Sequence, residues 1–181
     1  MVKINLSDGV LAEIGKITVV FSLIEYSLAE IIGKIVTVGG RPRQLGQIIT
    51  AELSFRQLVS TLDSLLLFAL GKDNEFVAQF ARVKPLLSRA EQERNVVVHS
   101  VWGKQSESAD PHLTIRMKTT ARQKKGLRED WISMDLEHIR RITNVVGNAY
   151  GELCIFALHF QEPDDVESPS SDETGNESAN E

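Results

Sequence analysis

The residues best suited to chemistry in this sequence lie in one short segment, ERNVVVHSVW, at positions 93 to 102. His99 has the side chain whose ordinary pKa lies nearest neutrality, so it can accept and donate a proton at physiological pH. Arg94, five positions earlier, offers a fixed fork of donors that matches the oxygens of a phosphate group. Asn95 follows the arginine directly. Together these residue types favour proton transfer beside a bound phosphate.

The same segment continues a helical pattern that starts near residue 73 and is predicted to run to about residue 102. At about 100° per residue, Arg94 falls near the middle of an apolar stripe. That stripe comprises Val83, Leu86, Leu87, Ala90, Val97, Val98 and Val101. A guanidinium there cannot simply be solvated, so it needs acceptors or a partly dry interface. Glu25, at the border of the first helix's apolar stripe, is the candidate partner for a salt bridge, and Tyr26 beside it could line the same cleft.

A neighbouring face of this helix is predicted to carry Asn95, His99 and Trp102, with the first two one turn apart. Arg94 and His99 are then about 140° apart around the helix axis, so a single helix presents them poorly to one atom. Two copies of the helix that meet around a two-fold axis could bring both residue types to one cleft. The sequence therefore favours a homodimer.

Four long helical patterns supply the frame for this segment, and they span about residues 8–38, 55–70, 74–102 and 136–160. Their apolar residues recur every three or four positions, and capping residues or glycines bound them. A short helical turn is predicted around residues 45–50. Pro85 lies inside the third helix and should kink or split it, because its ring removes a hydrogen bond and clashes with the preceding turn.

Between the third and last helices, HLTIRMKT and LREDWISM alternate in the manner of strands, which predicts a small hairpin over about residues 112–134. Six basic residues and no acidic one lie around its turn, at Arg116, Lys118, Arg122, Lys124, Lys125 and Arg128. Such a cluster can bind RNA phosphates with little sequence preference, or it can keep an edge strand soluble. The predicted fold is mainly α, an up-down bundle of about four long helices with this hairpin inserted before the last one.

Length and composition favour one domain followed by a tail. Residues 162–181 hold eight acidic residues and no lysine or arginine, which predicts a disordered acidic tail after a domain at 1–161. The whole chain has a net charge of −5, but residues 1–161 keep 20 basic and 25 − 8 = 17 acidic side chains, a balance of +3. The predicted domain is thus mildly basic, and the tail could either solvate the chain or screen the basic hairpin.

Other patterns in the sequence bear on where the protein acts and on whether it needs a cofactor or a metal ion. No run of roughly 18 apolar residues and no signal-peptide pattern is present, so we expect a cytoplasmic protein without a membrane partner. The single cysteine, Cys154, fits a small core residue in a reducing compartment. We find no glycine-rich phosphate loop and no cluster with metal-ligand spacing, so we expect neither a cofactor nor a metal ion.

The segment RNVVVHSVW resembles the ribonuclease motif of the HEPN superfamily, which lies near the end of a long helix in small helical domains. The similarity extends over about residues 8–160, through FSLIEYSLAEII in the first helix and LSFRQLVSTLDSLL in the second. The resemblance implies a homodimer that cleaves RNA without a metal, in a toxin–antitoxin or antiviral system, with an antitoxin or another protein as a further partner. Arg94 and His99 match its central pair, and Asn95 matches the position that tunes or orients the site.

On this interpretation, RNA supplies its own nucleophile, the 2′-OH, and the protein supplies a proton carrier and a cation. His99 would move the proton and Arg94 would bind the scissile phosphate, which leaves a 2′,3′-cyclic phosphate and a 5′-OH. Glu25, Tyr26 and Trp102 would support or orient this pair. The alternative is a non-catalytic dimeric binding or regulatory module, in which Arg94, Asn95 and Glu25 form a buried polar network and His99 is incidental.

Overall fold

The computed structural model describes residues 6–37, 43–104, 114–122 and 126–160; between 118 and 131 it describes the backbone. The elements are α1 Asp8–Thr37, α2 Arg43–Thr50, α3 Phe55–Leu70, α4 Glu75–Val98, β1 Val101–Lys104, β2 Thr114–Arg122, β3 Gly126–Met134 and α5 Leu136–Ala157, followed by a 3-10 turn at Leu158–Phe160. The predicted mainly helical fold with a small β insertion is confirmed. The predicted tail lies outside the described residues.

The core of the bundle forms around α1, which packs against each of the other four helices. Its buried residues follow the predicted three-and-four spacing, at Val10, Ile17, Phe21, Ile24, Leu28, Ile31 and Ile32. α5 presents a second stripe of the same kind, from Ile139 to Phe156. Each such side chain contributes about 1.5–3 kcal/mol when fully buried, so these two stripes define which faces of the helices turn inward.

The helices begin where the capping residues of the sequence predict. Asn74 Oδ1 accepts a hydrogen bond from the backbone of Phe76 at 2.9 Å, and Asp135 Oδ1 accepts one from the backbone of His138 at 2.7 Å. These bonds satisfy backbone donors that the first turn of a helix leaves free. Gly71 ends α3 with a φ of 79°, a conformation that glycine adopts without strain.

The end of α4 differs from the prediction. The helix stops at Val98, four residues early, and residues 101–104 form β1 instead. β1 pairs antiparallel with β2, and β2 with β3, so the predicted hairpin is two strands of a three-stranded sheet. The valines at 96–98 stay in the helix, and the pairing of residues 101–104 with β2 decides for a strand after it. Pro85 does not split α4, which is one helix from Glu75 to Val98.

Candidate active site at the end of α4

Arg94 lies on the buried side of α4, between Ala90 and Val97, which are both buried. The guanidinium carbon is 5.1 Å from the centroid of the Phe21 ring, a distance at which the cation is attracted to the ring face. Arg94 Nε is buried and has no hydrogen-bond partner among the described residues. The arginine is therefore half-buried on an apolar stripe, as predicted, although Leu86 and Val101 of the predicted stripe are exposed.

Two polar neighbours surround the outer nitrogens of this guanidinium. Arg94 Nη1 donates a hydrogen bond to Asn95 Oδ1 at 3.0 Å, and it lies 3.3 Å from Nε2 of His99, which is exposed. A guanidinium only donates, so a hydrogen bond to Nε2 requires the tautomer with its proton on Nδ1. The structure thus brings Arg94, Asn95 and His99 together within one chain.

Arg94 and His99 are in contact within one chain, which their predicted separation of about 140° around the helix did not lead us to expect. His99 is the residue directly after the helix, with φ −98° and ψ 30°, and Val98 before it is still helical. One chain is enough to place the two side chains in contact, and the need for a second copy no longer follows from their angular separation.

Glu25 faces the same site across the bundle. Burial raises the pKa of its carboxyl group, and the positive charge of Arg94 lowers that pKa by a smaller amount. The salt bridge predicted between Glu25 and Arg94 is not among the ion pairs of the described residues. Tyr26, which was expected to line the cleft, has 59% of its surface exposed on the outer side of α1.

Trp102 and Arg116 have roles that the sequence did not indicate. Trp102 belongs to β1 rather than to the helix, and its Nε1 donates to the Val97 carbonyl at 2.9 Å. Arg116 was expected on an RNA-binding surface, but only 6% of it is exposed. Its Nε donates to Ser100 Oγ at 2.8 Å, and that hydroxyl donates to the Val96 carbonyl at 2.6 Å. Both residues therefore hold the end of α4.

The other predicted RNA-binding residues lie along the part of the β2–β3 pair that extends past β1, or outside the described residues. Lys118 and Arg122 are on β2 and Arg128 is on β3, whereas Lys124 and Lys125 lie outside the described residues. The register places Asp130 opposite Lys118. Residues 114–134 hold six basic and two acidic side chains, so this hairpin keeps a positive balance of 6 − 2 = +4.

The sequence interpretation missed Ser100 and Glu13. Ser100, directly after the histidine, links Arg116 to α4. Glu13 is buried on the core side of α1, where Lys16 Nζ donates to it at 2.8 Å and Thr143 Oγ1 at 2.7 Å. Those two hydrogen bonds lower the pKa of the Glu13 carboxyl group. Its position one turn before Ile17 was the signal that could have found it.

Two findings limit the kind of site that the described ranges contain. No group of three or more histidine, cysteine or acidic side chains within these ranges is placed to hold a metal ion. Their helices also include none that is long and apolar enough to cross a membrane.

The fold and site together define a mainly helical domain with an Arg–Asn–His cluster at the end of one helix. No protein-family model matches the chain, and comparisons with curated proteins and with solved structures find no match. The resemblance to the HEPN superfamily therefore rests on the residues of the motif and on the helices that carry it.

Proposed function

We propose that this protein is a metal-independent endoribonuclease whose active site is formed by Arg94 and His99. The observation that carries the proposal is the 3.3 Å contact between Arg94 Nη1 and His99 Nε2, with His99 exposed at the end of α4. A cation and a proton carrier side by side are the two groups that cleavage of RNA by its own 2′-OH requires.

The proposed reaction uses His99 as the proton carrier and Arg94 as the cation. His99 Nε2 accepts the proton of the 2′-OH, whose oxygen attacks the adjacent phosphorus. The bond from phosphorus to the 5′-oxygen breaks, and the imidazolium returns a proton to that oxygen. Arg94 stabilises the charge that gathers on the non-bridging oxygens. When Arg94 turns to the phosphate, its contact with Nε2 is released, and this nitrogen becomes free for the 2′-OH.

Among the ion pairs of the described residues, none involves Arg94, and this supports the role. A guanidinium that is already paired with a carboxylate has its charge neutralised before a phosphate arrives. Arg94 has Asn95 and His99 as hydrogen-bonding neighbours and Phe21 beneath it, and the Glu25 carboxyl group interacts with its charge without an ion pair between them. Its charge is therefore available to a phosphate group.

A row of exposed side chains on α1 supports the homodimer that we propose. This row, the outer α1 stripe, consists of Ala12, Gly15, Val19, Leu23 and Tyr26, spaced three or four residues apart. Val19 is 61% exposed and Leu23 is 40% exposed. An apolar stripe of this kind is typical of a helix that packs against a second copy.

The remaining parts of the proposal rest on charge and on the resemblance. The basic residues of the hairpin other than Arg116 would bind RNA phosphates outside the catalytic cluster. A cytoplasmic toxin–antitoxin or antiviral system, with a protein partner for control, follows from the resemblance alone.

The test is to incubate the purified protein with mixed cellular RNA in EDTA, beside the Arg94→Ala and His99→Ala variants. We expect the wild type to leave cyclic phosphate ends and each variant to lose at least about 100-fold in rate. Arg82→Ala and His138→Ala, which remove the same residue types elsewhere, should cleave normally. Circular dichroism and sedimentation would establish that every variant is folded and associated like the wild type. Undiminished cleavage by a folded His99→Ala protein, or a strict need for a divalent ion, would refute the proposal.

A second function is favoured by one observation. Arg94 already contacts Asn95, His99 and Phe21 within its own chain, as a structural network would. In a non-catalytic dimeric module, wild type would leave RNA intact, Arg94→Ala would weaken the dimer, and His99→Ala would not. A concentration series by sedimentation would separate this function from the ribonuclease.

A further inference from the structure

The end of α4 is held by side chains that follow it in the chain. The last four carbonyls of a helix have no partner within the helix. The Val96 carbonyl accepts from Ser100 Oγ at 2.6 Å, and the Val97 carbonyl accepts from Trp102 Nε1 at 2.9 Å. These two bonds fix α4 where it stops, one residue before His99.

Arg116 completes this arrangement from the neighbouring strand. Its Nε donates to Ser100 Oγ at 2.8 Å, so the hydroxyl accepts from the arginine and donates to the Val96 carbonyl. Arg116 is paired with Trp102 across β1 and β2, and the same strand pair therefore supplies both contacts. A buried cation is also favoured at the C-terminal end of a helix, where the partial negative charge of the carbonyls gathers.

These contacts determine where the histidine lies. His99 lies between α4 and Ser100, so its backbone is held on one side by the helix and on the other by the residue that binds Arg116. With the end of α4 held by the bonds to the Val96 and Val97 carbonyls, His99 Nε2 lies 3.3 Å from Arg94 Nη1.

We propose that Arg116, acting through Ser100, is a positioning residue that holds His99 beside Arg94. Its effect on catalysis rests on the proposed ribonuclease function, whereas its effect on the place of the histidine does not. Arg116 is thus assigned to the geometry of the site, unlike the other basic residues of the hairpin.

The test compares wild type with Arg116→Met, which keeps much of the side chain's bulk and removes its donors. The ¹⁵N chemical shifts of the His99 ring distinguish its two neutral tautomers without any substrate. We expect wild type to hold the Nδ1–H form, because Nε2 accepts from Arg94, and Arg116→Met to shift toward the Nε2–H form. In steady-state cleavage of RNA, kcat should fall by about 10- to 100-fold, with KM within about twofold. Arg82→Met is the matched control and should change neither measurement, and Arg116→Lys, which keeps a donor, should restore part of both.

Each outcome decides between the alternatives. An unchanged His99 signal in folded Arg116→Met would overturn the proposal, and so would a raised KM at constant kcat, which would return Arg116 to direct RNA binding. If the signal shifts while kcat stays constant, the positioning has no catalytic consequence and that part is wrong. If wild type cleaves no RNA but the signal shifts, the positioning holds and the proposed ribonuclease fails. Should Arg116→Met not fold, Ser100→Ala and Trp102→Phe remove single bonds of the same arrangement and are judged by the same shifts.

Discussion

Charged side chains on α4 form two clusters that differ in how they are paired. In the groove between α3 and α4, Arg56 Nε is 3.0 Å from both carboxylate oxygens of Glu91, and Lys84 Nζ is 2.8 Å from both oxygens of Asp63. At the C-terminal end of the same helix, Arg94 has no ion pair among those of the described residues. The charges in the groove are therefore paired. We call Arg94, Asn95 and His99 the open cluster, because its arginine has no ion pair among the described residues.

The difference bears on what each cluster contributes. Arg56 has 76% of its side chain exposed, and exposed ion pairs of this kind stabilise a fold by less than about 1 kcal/mol. Arg94 is half-buried, and burying a guanidinium without a carboxylate costs free energy that packing must offset. A partly buried cation that costs stability is the kind of residue found at functional sites and interfaces.

Two of the carboxylates on α1, those of Glu13 and Glu25, repeat this contrast. Glu13 accepts from Lys16 and Thr143, and its pKa is lowered by those hydrogen bonds. Glu25 lies near Arg94 without an ion pair to it, and burial raises its pKa. The first carboxylate therefore belongs with the paired charges and the second with the open cluster.

The largest effect should come from replacing Arg94, and the same replacement at Arg56 in the groove is its control. Arg94→Met should lower kcat/KM for RNA by about 100- to 1000-fold, because the phosphate loses its charged donor. Arg56→Met, in the groove, should leave cleavage within about twofold and lower the free energy of unfolding by less than about 1 kcal/mol. Cleavage kinetics and urea unfolding of both variants measure this. Equal losses of activity from the two substitutions would remove the distinction between the clusters.

Local sequence patterns predicted the helices that carry the open cluster. The apolar spacing of α1 and the capping residues Asn74 and Asp135 each act within one or two turns, so a single sequence reveals them. The position of Arg94 on the apolar stripe of α4 followed from the same spacing.

Contacts between distant parts of the chain determine where α4 ends and why Arg116 is buried, and local sequence patterns do not reveal such contacts. The valines near residue 98 suit both a helix and a strand, and the choice depends on bonds from Trp102 and Arg116. Arg116 also alternates with Ile115 and Met117, a pattern that predicts an outward arginine. The structure buries it instead, because Ser100 and the end of α4 offer acceptors on the inner side of the sheet.

A smaller effect, on the free energy of unfolding, should distinguish the two paired carboxylates Glu13 and Glu91. Glu13→Gln should lower the free energy of unfolding at neutral pH by about 1–2 kcal/mol, since a buried charged acceptor with two donors is replaced by a neutral one. Glu91→Gln removes a carboxylate whose partner is exposed, and the loss should stay below about 1 kcal/mol. Urea unfolding of both variants at the same pH gives the comparison, and the reverse order of losses would contradict it.

The pH dependence of the Glu13 effect has a definite sign. A carboxyl group with a lowered pKa in the folded state contributes stability above its ordinary pKa, about 4.3, and that contribution is lost as the pH falls through the lowered value. The difference in unfolding free energy between wild type and Glu13→Gln should therefore shrink on acidification from neutral pH. Unfolding curves at several pH values measure it, and a difference that grows in acid would show that the carboxylate is not stabilised as its hydrogen bonds indicate.

The pH dependence of stability should have the opposite sign for Glu25. Its effect should be the smallest, because Glu25 remains partly exposed and the charge of Arg94 offsets some of the cost of its burial. A carboxyl group with a raised pKa costs stability as the pH rises from about 4.3 through the raised value, since the unfolded chain gives up its proton first. Glu25→Gln should thus be slightly more stable than wild type at neutral pH and equal to it in acid. In an Arg94→Met background, where the attraction is gone, the gain should increase. A Glu25→Gln protein that is less stable at neutral pH than in acid, relative to wild type, would place Glu25 among the paired charges and leave Arg94 with a structural partner.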